Sequence, residues 1–277
     1  MLDKSKCLIN KYLPKSVVWL AAILGVVTSA WGDSNLQTKE KTFHAQRLEV
    51  DSITGRLRIE AESRADVMVQ IRGVEEDIDG FILDVRNGAL HIEDQRSASG
   101  GVSVVTVGNV TAMASGGGTA SVSIGGREFG AGANRPSVEI TVRIPTGLPL
   151  GLRALNGDCR IGNTHGPVEL TLSSGNCALG EITQGELLVQ GSGDIAVRQV
   201  DGDLRVVVSG SGNVRVHAGR VGRLEVTLSG SGQIDLGVQA QQALLSLTGA
   251  GNIRVTEVHE RPQVNMAGAG VISVGNW

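Results

Sequence analysis

Five histidines, three cysteines and one recurring Asp/Asn position are the residues of this sequence best able to do chemistry. The histidines are His44, His91, His165, His217 and His259. His165 and His259 share one offset in a repeat described below but lie five repeats apart. Stacked strands rise about 4.8 Å each, which puts the pair about 24 Å apart, too far to share a metal. No Gly-x-Ser-x-Gly occurs, and no Ser/His/Asp set assembles from the repeat positions. No Gly-x-Gly-x-x-Gly opens a helical pattern, and no phosphate-loop Gly-x-x-x-x-Gly-Lys is present.

The recurring position holds Asp158, Asn176, Asp194, Asn213, Gln233, Asn252 and finally Val271. Such a column has two readings. Asp and Asn close turns through their own side chains, and an acidic column also suits calcium. Calcium-binding β-rolls repeat every nine residues, whereas this period is twice that and drifts to Gln233 and Val271. Turn chemistry is therefore the reading adopted, with no metal, cofactor or catalytic residue expected.

The elements that position these residues follow from glycine. Gly157, Gly175, Gly193, Gly212, Gly232, Gly251 and Gly270 are spaced by 18, 18, 19, 20, 19 and 19 residues. A constant period near twenty marks a solenoid, in which each unit buries its apolar face only against its neighbours. Two residues after each glycine stand Cys159, Cys177, Ile195, Val214, Ile234, Ile253 and Ile272. Four residues after it stand Ile161, Leu179, Val197, Val216, Leu236, Val255 and Val274. The residues between them are mostly polar or small, which is the period-two signature of a half-buried strand. A second alternating run precedes each glycine, as in Leu204, Val206 and Val208. The glycines can supply the sharp corner between the two strands, because glycine reaches positive φ without a Cβ clash.

Cys159 and Cys177 share one inward column, one coil apart. They are either a disulfide between coils or two small apolar side chains continuing the Ile and Val column. An exported chain can keep a disulfide.

Export is expected from the first residues. Lys4, Lys6, Lys11 and Lys15 precede an apolar run from Val17 to Thr28 and a small-residue stretch, the layout of a signal peptide over residues 1–32. The run is shorter than the about 20 apolar residues of a membrane span, so no stable span is expected after cleavage. Cys7 precedes the apolar run and so cannot be a lipoprotein's acylated cysteine. The net charge of −3 lacks the basic excess of a nucleic-acid binder. Residues 33–150 read as an N-terminal β region. Within it, Asn87-Gly88 between alternating runs signals a hairpin, and a Gly-rich insertion covers about 97–134. The insertion reads as a loop or an irregular segment whose short apolar patches could form strands. Residues 151–277 form the solenoid proper.

The stretch "VEITVRIPTGLPLGL", the following "LNGDCRIG" and the recurring "SGSGNV" and "SGSGQI" units resemble the head GIN domain family, labelled putative auto-transporter adhesin. The resemblance implies an exported, envelope-associated β-helix and brings no catalytic residues with it. No barrel pattern follows the solenoid, so self-export in autotransporter fashion is not expected.

The expectation is an all-β protein whose C-terminal half is a single-chain parallel β-solenoid of about seven coils, preceded by strands and a hairpin. It would be non-catalytic, exported to the periplasm or cell surface of a bacterium, and would bind an unknown protein or glycan of the cell envelope. The alternatives are a scaffold that self-associates end to end, with Trp277 either capping the last coil or joining an interface, and a polysaccharide-acting β-helix enzyme. The enzyme rests on analogy of fold alone, since the outward charges are mixed rather than gathered.

Overall fold

A computed structural model describes residues 36–95 and 138–277, with the backbone of four strands between them. The expected signal peptide, residues 1–32, lies outside the described residues. The chain begins with β1 (Leu36–Phe43), β2 (Arg47–Asp51), β3 (Thr54–Glu62) and β4 (Val67–Val74). A short helix α1 (Glu75–Asp79) leads to β5 (Phe81–Arg86) and β6 (Ala89–Asp94). The Gly-rich insertion forms β7 (Ser103–Val107), β8 (Val110–Ala114), β9 (Ala120–Ile124) and β10 (Arg127–Ala131), a separate antiparallel sheet in sequential order.

The remaining strands build the solenoid. They are β11 (Glu139–Pro145), β12 (Leu150–Ile161), β13 (Pro167–Ser174), β14 (Asn176–Ile182), β15 (Gln184–Val189) and β16 (Asp194–Asp201). Then come β17 (Leu204–Gly210), β18 (Asn213–Gly230), β19 (Gln233–Gly249), β20 (Asn252–Val258), β21 (Gln263–Gly268) and β22 (Val271–Asn276). Two in-register parallel ladders result, beside a third, offset by register shifts, that pairs Ile182 with Val200, Val221 with Ala240 and Ala240 with Val258. In one, Cys159, Cys177, Ile195, Val214, Ile234, Ile253 and Ile272 stand side by side in register. In the other, Leu152, Leu170, Leu187, Val206, Val226, Leu245 and Val264 do the same. Period-two alternation turns these residues inward, where Val206, Val226, Leu187 and Leu245 are fully buried. Each such Val or Leu contributes about 1.5–3 kcal/mol through removal from water.

Stacking crosses residue 150. β2 pairs with the start of β12 and β3 with its end, so residues 47–62 are a coil of the same kind, with Gly55 aligned to Gly157. A composite coil lies beyond it: β6 stacks on β2 and β11 stacks on β3. The insertion carrying β7–β10 therefore enters at the corner where other coils have their glycines. Beyond the composite coil the ladder turns antiparallel. β4 pairs with β11, β1 with β4, and β5 with β6. The β5–β6 turn is Asn87-Gly88, with φ of 51° and 79°, the positive-φ pair of a two-residue hairpin. α1, which the sequence pattern does not foreshadow, carries three acidic residues in its first turn and buries Ile78.

The glycine pair divides its work. In the later coils positive φ falls on the first glycine, as at Gly230 with φ of 134°. The second glycine lies outside that region and is needed for closeness instead. A Cβ on Gly212 would lie 2.2 Å from the carbonyl oxygen of Gly193 and 2.6 Å from Val189 Cγ1. The corner is thus both a bend and a close contact between coils.

Candidate functional site

Two of the outward faces hold shallow grooves lined by polar side chains. On the first, the Asp/Asn column becomes a ladder between coils instead of a set of local turns. The Asp194 carboxylate accepts from both the backbone N–H and the side-chain amide of Asn213, at 3.0 and 2.8 Å. The Asn213 side-chain oxygen in turn accepts from the Gln233 N–H at 3.0 Å, and the Asn176 amide donates to Asp158 at 3.3 Å. The Asn213 N–H also donates to the Gly193 carbonyl at 3.2 Å, so these side chains add to the backbone ladder at the corner. Beside this ladder Ala178 and Ala196 lie between Arg160 and Arg215, which leaves a shallow groove floored by alanine and flanked by guanidinium groups.

Cys159 and Cys177 underlie this groove. Their Cα atoms are 4.5 Å apart in parallel register, both side chains are buried, and their sulfurs are joined across the coils. The bridge spans a sequence separation of 18. Closing a loop of that size restricts the unfolded chain by about 3 kcal/mol. Thiol titration of the denatured, unreduced protein is expected to find neither cysteine reactive. Alkylation of both would make them a packed thiol pair.

The second face lies over the strands that precede the corners. One outward column runs His91, Glu49, Gly151, Glu169, Glu186, Arg205, Glu225. Arg47 lies across Gly151, with Nε 3.2 Å from Glu49 and Nη2 2.9 Å from Glu169. A side chain at residue 151 would crowd it, since a Cβ there would lie 3.2 Å from Nη2. Arg205 stands 3.7 Å from both Glu186 and Glu225. Pro167, Gln184, Asp203 and Arg223 complete the walls of a second shallow groove along this column.

At one end of the column, Glu49, Asp51 and His91 offer ligand atoms all within 4.8 Å of one another. His91 Nδ1 is 3.2 Å from Glu49. Partial burial pushes the Asp51 carboxyl above its ordinary range, opposed by Arg153 and His91 and reinforced by Glu49 and Glu93. The trio has the donor types of a divalent-cation site, but Arg47 already engages Glu49 from the other side. Sequence inspection missed it, because only the pairing of β2 with β6 brings Glu49 opposite His91.

A carboxyl with a raised folded pKa binds more protons folded than unfolded. Its contribution is therefore complete below the ordinary Asp value and is lost as pH rises through the raised one. Asp51→Asn is accordingly expected to raise the thermal midpoint at pH 7, with the gain vanishing near pH 3. A lower midpoint at pH 7 would show that Arg153 outweighs burial.

The remaining histidines are scattered. His165 Nδ1 lies 3.9 Å from Glu181, while His259 follows β20, near the other end of the stack. No helix among the described residues is long and apolar enough to cross a membrane.

Three solved structures share this architecture. A putative lipid binding protein from Parabacteroides distasonis is 16% identical, with a TM-score of 0.56 over 88% of this chain and 98% of its own. A putative adhesin from the same organism is 13% identical, with a TM-score of 0.52 and the same coverage. A putative adhesin from Bacteroides fragilis is 17% identical, with a TM-score of 0.52 over 87% of this chain and 98% of its own. At these identities the likeness is one of fold. No curated protein matches the sequence. The family described as "Putative auto-transporter adhesin, head GIN domain" matches residues 49–276, from the first solenoid coil to the last strand, and the chain belongs to that family.

Proposed function

We propose that the protein is a non-catalytic, exported module of the bacterial cell envelope that binds a protein or glycan through its lateral faces. The observation that carries this reading is the second face. Its outward column presents Glu169, Glu186, Arg205 and Glu225 from successive coils, each held by the ladder beneath it. Side chains on packed strands lose little further freedom on binding, which favours an extended partner over a small enclosed ligand. The family description and the names of two similar structures, those of adhesins, support the same reading. The signal-peptide pattern of residues 1–32 supports export to the periplasm or the surface.

The test is binding of purified protein to isolated envelope polysaccharide and envelope protein, before and after charge reversal in the double variant E186K/R205E. The expected result is saturable binding that the variant weakens at least about tenfold, with circular dichroism unchanged. Absence of binding to either fraction, or binding indifferent to the reversal, would contradict the reading.

A further inference from the structure

The two ends of the stack are built differently. Beyond β6 and β11 the ladder continues into the antiparallel strands β5, β4 and β1, and the outermost of these, β1 and β5, carry Lys39, Glu40, Lys41, Asp84 and Arg86. At the other end, β21 pairs only with β19 and β22 only with β20 among the described residues. The inward columns are consequently open there. Leu245 and Leu247 are buried, but their stacking partners Val264 and Met266 are 48% and 58% exposed. Val271 is 57% and Trp277 73% exposed. Natural sheets protect such edges with lysine, proline or inward charge. Residues 263–277, "QVNMAGAGVISVGNW", hold no charged residue and no proline. The coil below them carries Arg254, Glu257, Glu260 and Arg261.

We infer that this open coil is a dimer interface, in which two copies of the chain join tail to tail. A hydrocarbon surface suits the apolar side chains but not the backbone. The outer N–H and C=O groups of β21 and β22 have no partner there, and each would cost several kcal/mol in lipid. A strand edge satisfies them, and an identical edge is available on every second copy.

Head-to-tail addition would set this uncharged coil against β1 and β5, whose Lys39, Glu40, Lys41, Asp84 and Arg86 oppose an apolar partner edge. The closed solution is therefore an isologous pair. A twofold axis through the corner Gly268-Ala269-Gly270 lays β21 of one copy antiparallel on β22 of the other, and the reverse. Both strands are six residues long, so the two ladders close without overhang. Six-residue strands span about 20 Å, which gives an open end on the order of 500 Å² per copy. A pair would bury about 1,000 Å², the threshold of a specific interface. The pairing is independent of whatever the lateral faces bind.

Sedimentation equilibrium of the purified chain and of the double variant V264K/V271K tests this. Both positions are solvent-exposed in the single chain, so lysine there leaves the fold intact, as its unfolding midpoint will report. A dimer is expected for the native sequence, with association weakened at least about 100-fold in the variant. Amide exchange should slow at residues 263–276 as protein concentration rises. A monomer at all concentrations, growth beyond the dimer, or a dimer indifferent to both lysines would each overturn the inference. So would a monomer that binds phosphatidylcholine vesicles, which would assign the open end to lipid.

Discussion

Replacing Gly212 by alanine is expected to cost about 3–5 kcal/mol, far more than a surface glycine normally does. The added methyl would lie 2.2 Å from the Gly193 carbonyl oxygen and 2.6 Å from Val189 Cγ1. Neither atom can give way. The first belongs to the backbone of the neighbouring coil, and the second belongs to the packed column beneath. The coils must separate locally, which loosens ladder hydrogen bonds on both sides of the corner. Gly147→Ala is the matched control. Gly147 has φ of 85°, but a Cβ there would meet no atom within 4 Å. It should cost only about 1–2 kcal/mol of backbone strain. Guanidinium unfolding followed by far-ultraviolet circular dichroism would separate the two. Equal losses would mean that the close approach at Gly212 costs no more than backbone strain at an open corner, and that contact between coils is not what requires glycine there.

The second large effect tests the direction in which each side chain points. Val206 and Val207 are adjacent and chemically identical, yet Val206 is fully buried while Val207 faces outward between Leu188 and Thr227. Val206→Asp would bury a carboxylate in an all-apolar column. It is expected to cost more than about 4 kcal/mol and to abolish the cooperative transition at 37 °C. Val207→Asp should shift stability by less than about 1 kcal/mol. A reversal of the two results would mean that the strand register is displaced by one residue.

Much of the fold was legible because the solenoid repeats locally. Each coil restates the same alternation around one glycine, so the columns from Cys159 to Ile272 follow from spacing alone, and the structure places them in register. The coil formed by β2 and β3 escaped the same argument for a topological reason. Its Gly55 precedes Leu57 and Ile59 at the proper offsets, but β4 to β11 intervene before the next coil, so no period connects Gly55 to Gly157. The Gly-rich insertion could be located by composition, but its small residues did not foretell four paired strands.

The polar faces were legible only in part. The Asp/Asn column was visible, while its role in joining coils depends on hydrogen bonds between residues 18–20 apart. The meeting of Glu49, Asp51 and His91 depends wholly on a pairing between strands whose order in space differs from their order in the chain. The exposed last coil lies between these cases. Its lack of charge can be read from the sequence, and its one-sided pairing requires the structure.

The central claim, that this is an exported envelope module, is tested most directly by fractionating cells that express the full sequence. Intact cells are treated with protease, the periplasm is released osmotically, and each fraction is blotted with the chain's mass determined. The account predicts a chain shortened by its first thirty-odd residues, either digested on intact cells or released with the periplasm. A full-length chain that appears only after the cytoplasm is opened would contradict it.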